Sequence, residues 1–378
     1  MGAVSVTIDI SGLPRERIVF EISPLAELGV ALHALAEPGH HPGLHGWATA
    51  TSAALQPDLA DRLCEADFLW RSTFSDVFMP FAALPPDPAR GARGMHTLAD
   101  ELDLLDRFDD ERFVSAALEF TCGSTYSEGG PSALSDPARR ERSLELAAHR
   151  GPRQLDFTKR LLKDPAAVRA WVRRLFEDCE RAFFADTWAR IAPQLAADAR
   201  HKTELLRHKG LAETLHAVSP ALTVDEDHTC VTADKFAEGR TTAVDPDLGP
   251  GLTLVPSSFG WPHLMVLHAP GWRPVIHYPI GAPALQGPGT VELLQRRMEA
   301  LAHPVRMRLC RNLARAAYTT SELAESYGIT APEVSRHLGV LKRAGLVSTR
   351  RRGRYVLHQL DVTAVARLGS DYLETVLR

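Results

Sequence analysis

Between residues 331 and 354 the chain sets out side chains suited to one kind of chemistry, the hydrogen bonding and neutralisation of a polyanion. The stretch APEVSRHLGVLKRAGLV (331–347) carries Ser335, Arg336, His337, Lys342 and Arg343, preceded by Thr330 and followed closely by Arg350, Arg351, Arg352 and Arg354. A guanidinium fork donates in pairs to phosphate oxygens or to the major-groove edge of guanine, and a serine hydroxyl serves either role at a base edge. At 100° per residue Val334, Leu338 and Leu341 form one apolar seam, with Pro332, Ser335, Arg336, Gly339, Lys342 and Arg343 opposite. A solvated helix face is also charged, but this one is short, small and cationic. His337 flanks the seam, so it fits a packed histidine as well as a phosphate or base contact.

Other chemistries find weaker support. The sequence holds no GxSxG nucleophile elbow, P-loop, GxGxxG or HExxH. HHPGLH (His40, His41, His45) lies in a Pro/Gly stretch and reads as a polar loop after a helix rather than a metal site. His201 and His208 stand two helical turns apart, too far for one ion. CGSTYSEGG (122–130) offers Cys and Ser nucleophiles with no base nearby, and reads as a helix end and linker. The five cysteines are scattered without a CxxC pair, which argues against a disulfide framework or zinc ribbon and for a reducing cytoplasm. The expectation is no enzyme, no cofactor and no metal ligand set.

The cationic residues need elements to hold them. Thr319 with Glu322 and Thr330 with Glu333 fit the Thr-x-x-Glu capping box. Gly328 between them can adopt the left-handed conformation that ends a helix, with Ile329 packed in the turn. That predicts helix, turn and second helix, the latter ending at Gly345. LVSTRRRGRYVLHQL then reads as a hairpin with a basic tip around Gly353. Residues 290–378 carry net +7 against −11 for the remainder, although arginine is this chain's usual cation, 37 against six lysines. A basic module on an acidic body suits a protein of which one end meets a polyanion.

The segments ALAHPVRMRLCRNL (300–313), TSELAESYGITAPEVSRHLGVLKRAGLV and RRRGRYVLHQL together resemble the ArsR-type winged-helix repressors over about the last 85 residues. The resemblance implies a homodimer with the module's first and last helices at the interface, and repression relieved by an inducer. It makes residues 331–344 the reading helix and 347–360 the wing. It also implies where metal sensors of this type place ligands, and there the sequence departs. TSELAES has no cysteine, and the last helix, DVTAVARLGSDYLETVLR, offers Asp361, Asp371 and Glu374 but no histidine. Cys310 alone reads as a small core residue.

Upstream, VFEISPLAELGVALHALAEPGHHPGLHGW (19–47) and LTLVPSSFGWPHLMVLHAPGWRPVIHYP (252–279) resemble the N-terminal region of unknown function that precedes an ArsR-type module in many actinobacterial regulators. The alternation of Val4, Val6, Ile8 and Ile10 predicts a strand with one buried face, and Ile18–Ile22 a second. Ser23 and Pro24 begin a helix, and helical patterns dominate to about residue 217. Two aromatic-rich segments, Phe68, Trp70, Phe74, Phe78 and Phe81, then Trp171, Phe176, Phe183, Phe184 and Trp188, read mainly as core, with a ligand cavity between helices as the sharper alternative. Short β-prone runs from Ser219 predict a small antiparallel sheet, whose Trp261, Trp272, His277 and Tyr278 would pack on the helices or on a second subunit.

The expected class is therefore α+β, mainly helical. Residues 1–218 would form a helical sensing or dimerisation domain, 219–288 a small β element and linker, and 289–378 a winged helix-turn-helix. The expected function is a cytoplasmic, homodimeric repressor on inverted-repeat duplex DNA, with a non-metal signal, such as a small-molecule effector, or a partner acting through the N-terminal domain. No apolar run is long enough to span a membrane and the start lacks a signal-peptide pattern. The alternative is a small-molecule-binding protein or enzyme whose winged helix serves only dimerisation or protein contact.

Overall fold

The computed structural model describes residues 5–71, 76–85, 97–118, 131–235, 239–280, 290–314, 316–352, 355–366 and 368–377. They divide into two units, one of the described residues up to 233 and from 239 to 280, the other of those from 290 to 377 with residues 234 and 235. The first unit runs through β1 (Ser5–Asp9), β2 (Ile18–Phe20), α1 (Pro24–Ala36), α2 (His45–Ala54), α3 (Pro57–Ala66), α4 (Leu98–Asp106) and α5 (Asp110–Leu118). It continues through α6 (Pro137–Arg150), α7 (Pro152–Lys163), α8 (Pro165–Cys179), α9 (Ala185–Lys209) and α10 (Leu211–Val218). Strands β3 (Leu222–Val224), β4 (Cys230–Asp234), β5 (Gly239–Thr242), β6 (Leu252–Ser257), β7 (Met265–Leu267) and β8 (Val275–Pro279) follow. The expected mainly helical α+β class holds.

The strands depart from the expected small antiparallel sheet. Two four-stranded mixed sheets form, in the orders β3-β4-β1-β5 and β2-β6-β8-β7. Strands β3 and β4 pair antiparallel, as do β7 and β8, while β1 with β5, β2 with β6 and β6 with β8 pair parallel. Parallel neighbours need a long crossover; the helical stretch from α1 to α10 supplies it for β1–β5 and β2–β6, while β6 reaches β8 through the segment that carries β7. The alternation in β1 is as expected, with Val6 and Ile8 fully buried and Thr7 partly exposed; Val4 lies outside the described residues.

Helix α1 is the centre of the helical layer. Ser23 caps it, its Oγ accepting from the Ala26 N–H at 3.1 Å, and Pro24 occupies the first turn. Glu101 of α4 closes the same end, its carboxylate accepting from Ser23 Oγ at 2.7 Å and Leu25 N at 2.9 Å. Every residue from Pro24 to Ala34 is buried, so the helix has no solvent face. Gly29 makes this possible, because a Cβ there would stand 2.7 Å from Phe78 Cδ1. The long helical run from residue 164 is interrupted once, by a π-turn at Glu180–Phe184 between α8 and α9.

The aromatic segments supply core. Trp70, Phe78, Phe176 and Phe184 are almost fully buried, Phe78 and Phe176 lie 5.2 Å apart and Phe68 meets Phe157 edge-on at 4.7 Å; Phe74 lies outside the described residues. The second sheet docks on the helices, with Trp272 edge-on to Phe108 at 5.6 Å and Tyr278 donating to Asp198 of α9 at 2.7 Å.

Glu27, inside α1, is buried to 1% exposure, and its Oε1 accepts from the N–H groups of Ser258 (2.8 Å) and Phe259 (3.3 Å). Burial outweighs those bonds and pushes its carboxyl up to about 7 from the ordinary 4.5. The folded chain thus holds a proton on Glu27 that the unfolded chain releases. That contribution to stability is full below about pH 4.5 and is lost as pH rises to about 7. Urea unfolding across this window should show a falling stability that Glu27→Gln flattens; identical pH slopes for both proteins would contradict it.

Candidate nucleic-acid interface

The second unit contains α11 (Val291–Leu301), α12 (Pro304–Leu313), α13 (Thr320–Tyr327), α14 (Ala331–Arg343), β9 (Val347–Arg352), β10 (Tyr355–Leu360), α15 (Val362–Ala366) and α16 (Leu368–Leu377). Local chemistry sets the helix-turn-helix. Thr319 and Glu322 form the full capping box, while Thr330 contributes its hydroxyl, which accepts from the Glu333 N–H at 3.3 Å. Gly328 takes φ 63°, and the Ile329 N–H reaches the Ala324 carbonyl at 3.2 Å, closing α13 and turning the chain into α14.

Helix α14 buries Val334, Leu338 and Leu341 in the core of this unit, together with Leu309, Leu313, Leu323, Leu346 and Leu360. Ser335, Arg336, Lys342 and Arg343 are exposed on the other side, as is Thr330 at its start. Strands β9 and β10 form an antiparallel ladder from Val347↔Leu360 to Arg352↔Tyr355, and Tyr318 adds a bridge at His358. Arg350 and Arg351 on β9 are exposed. Arg352 is placed by its backbone at the end of β9, and Arg354, with Gly353, lies outside the described residues.

Charge separates these arginines from those of the first unit. Arg173 is held by Asp103, Asp106 and Glu177, and Arg62 by Asp58 and Asp178. Among the described residues Arg336, Lys342, Arg343, Arg350 and Arg351 form no ion pair, so their donors face solvent. A cation that has no carboxylate to give up can take a phosphate without losing an internal bond.

His337 turns elsewhere. It is half-buried, with its ring 4.9 Å from that of His303, the residue that caps α12. Burial, with His303 and Arg306 nearby, holds its imidazole below the ordinary value. This is the packed alternative for His337, and it leaves Ser335 and Arg336 as the outward pair on that turn. Asp371, one of the acids on the last helix, is 3% exposed and receives Arg297 Nη1 from α11 at 2.6 Å. That ion pair joins the first and last helices of the unit. Cys310 sits against the core, and burial pushes its thiol up.

Arg297→Met should leave Asp371 buried beside an apolar chain and cost about 3–5 kcal/mol of the unit's stability. Chemical denaturation followed by the melting of residues 290–377 would measure it, and a loss under about 1 kcal/mol would show the pair to be peripheral.

Residues 4–284 match the family of unknown function DUF5937, and residues 301–350 match a helix-turn-helix domain model. The biofilm growth-associated repressor of Agrobacterium fabrum is 35% identical over 105 residues, 28% of this chain and 87% of that protein. The transcriptional repressor SmtB of Mycobacterium tuberculosis is 35% identical over 100 residues, 24% of this chain and 74% of its own. The crystal structure of the repressor BigR from Xylella fastidiosa aligns at 30% identity with 21% of this chain and 84% of its own, at a TM-score of 0.19. The chain belongs to the DUF5937 family of unknown function, and its C-terminal segment is an ArsR-type helix-turn-helix module.

Proposed function

We propose that the protein is a transcriptional repressor that binds duplex DNA through α14 and the β9–β10 wing. The observation that carries this reading is the exposed, unpaired cationic surface of Arg336, Lys342, Arg343, Arg350 and Arg351, built on a helix whose opposite face is core. Ser335 and Arg336 project from the first turns of α14, the part of a reading helix that meets base edges. Lys342, Arg343, Arg350 and Arg351, with Arg352 and Arg354 of the same hairpin, supply phosphate affinity that does not depend on sequence. Thr330 caps the reading helix and His337 braces it against α12. No helix among the described residues is long and apolar enough to cross a membrane, and a cytoplasmic location goes with the substrate.

The roles separate experimentally. Arg350→Ala should weaken binding to specific and random duplexes alike and reduce the slope of log affinity against log salt by about 0.9. Arg336→Ala should remove about 1–3 kcal/mol of discrimination between the operator and base-substituted versions of it. Equal losses on all duplexes for both variants would overturn the division.

The same reading makes the protein a homodimer on an inverted repeat, with two reading helices roughly 34 Å apart. The partly exposed apolar side chains of Met298 on α11 and of Tyr372 and Val376 on α16 support a contact through the first and last helices. Joint Tyr372→Glu and Val376→Glu substitution should convert a dimer to a monomer by light scattering and abolish the inverted-repeat footprint. A dimer that survives both charges would place the interface elsewhere. Control of this module is assigned to the first unit, since α13 and α16 lack the thiolate or imidazole ligands of a metal sensor.

A further inference from the structure

Four imidazoles meet inside the first unit, drawn from distant stretches of chain. His33 lies on α1, His40 ends a single 3-10 turn (Pro38–His40), His41 follows it, and His263 lies between β6 and β7. The ring of His33 is 5.0 Å from His263, 5.1 Å from His41 and 5.5 Å from His40. His263 is 5.0 Å from His41 and 5.9 Å from His40. One ligand-capable atom from each of His33, His40 and His263 falls within 4.8 Å of the other two.

Hydrogen bonds decide which nitrogens point into the cluster. His33 Nδ1 stands 2.6 Å from the Trp70 carbonyl. A carbonyl only accepts, so Nδ1 carries the proton and the neutral ring presents an Nε2 lone pair. His41 repeats the pattern with Nδ1 2.7 Å from the Trp261 carbonyl. Imidazoles oriented by Nδ1–H to a backbone carbonyl, with Nε2 left as donor of its lone pair, are how histidines are prepared for metal ligation.

Two further observations point to a ligand. His41 Nε2 and His40 Nδ1 are buried without a hydrogen-bond partner, a state that costs stability unless something accepts the lone pair or proton. His33 Nε2 and His263 Nε2 are 3.3 Å apart. Two nitrogens each about 2.0–2.1 Å from a tetrahedral ion stand about 3.3 Å from one another. A hydrogen bond between those two rings would satisfy that pair and leave His40 and His41 as they are.

We propose that His33, His40 and His263, with the ring of His41 packed against them, bind a divalent transition ion of borderline softness, for which Zn2+ is the probe. An all-imidazole set suits Zn2+, Co2+, Ni2+ or Cu2+ over Mg2+ and Ca2+, which take oxygen ligands. The ion would tie α1, the turn after it and the β6–β7 loop into one body. The site lies in the first unit, outside the winged helix, where the sequence alone predicts no metal ligand set.

The test uses the untagged full chain, stripped with a chelator and titrated with Zn2+ against a chromophoric competitor. One ion per chain, bound at micromolar affinity or tighter, and a melting temperature raised by about 5 °C are expected. Co2+ in its place should give the visible bands of a tetrahedral nitrogen site. His40→Ala, at the half-buried edge of the cluster, should weaken Zn2+ binding by more than about 100-fold, while His303→Ala in the winged helix leaves it unchanged. His40→Cys should retain the ion and add a sulfur-to-cobalt charge-transfer band, which reports ligation even where an alanine variant folds poorly. No stoichiometric uptake, or uptake indifferent to His40→Ala with no new band in His40→Cys, would overturn the site.

Discussion

A helix buried on every side imposes terms on everything around it, and α1 is that helix. Its first-turn N–H groups cannot reach water, so Ser23 caps from within and Glu101 comes across from α4 to accept from the same end. Its close approach to Phe78 requires the missing side chain of Gly29. Its one acid, Glu27, accepts from the backbone N–H groups of residues 258 and 259 inside the core, and its burial there makes it easier to protonate despite those bonds. Near its other end His33 meets the imidazoles of His40, His41 and His263. The loop between β6 and β7 therefore touches α1 twice, once through a carboxyl and once through a histidine.

The second unit obeys a different constraint, the sorting of one short helix into two faces. Val334, Leu338 and Leu341 close a small core, which leaves Ser335, Arg336, Lys342 and Arg343 nowhere to point but outward. In the first unit, by contrast, arginines such as Arg62 and Arg173 spend their donors on neighbouring carboxylates. The same residue type is structural in one unit and left available in the other, and the difference lies in what surrounds it rather than in how many arginines there are. Within the second unit Arg297 is held by buried Asp371 and joins the first and last helices, and Arg296 and Arg306 also bond within the unit, so the available cations are those of α14 and the wing.

Legibility followed sequence distance. The capped start of α1 at Ser23 and Pro24, the box at Thr319 and Glu322, the left-handed Gly328 and the seam of α14 were all readable, because each depends on residues within about four positions. The strand in residues 5–9 was readable for the same reason, but its parallel partner was not. Alternation specifies a buried face and is silent on whether the neighbour, here Gly239–Thr242, runs the same way. HHPGLH reads as a polar loop since its own spacing fixes no ligand geometry. The signal that brings His263 to this end of α1 lies in its contact with His33 across 230 residues, which no local pattern carries.

By itself, then, the sequence determined that helices dominate up to about residue 217, where the reading helix begins and ends, and that its free face is cationic, since caps, periods and side-chain charge are local properties. Tertiary structure decided the pairing of β1 and β2 with strands more than two hundred residues later, the burial of Asp371 against Arg297, the turning of His337 toward His303, and the convergence of four imidazoles around the end of α1. Each of these is a meeting of groups distant in the chain, settled by which faces had to leave water together.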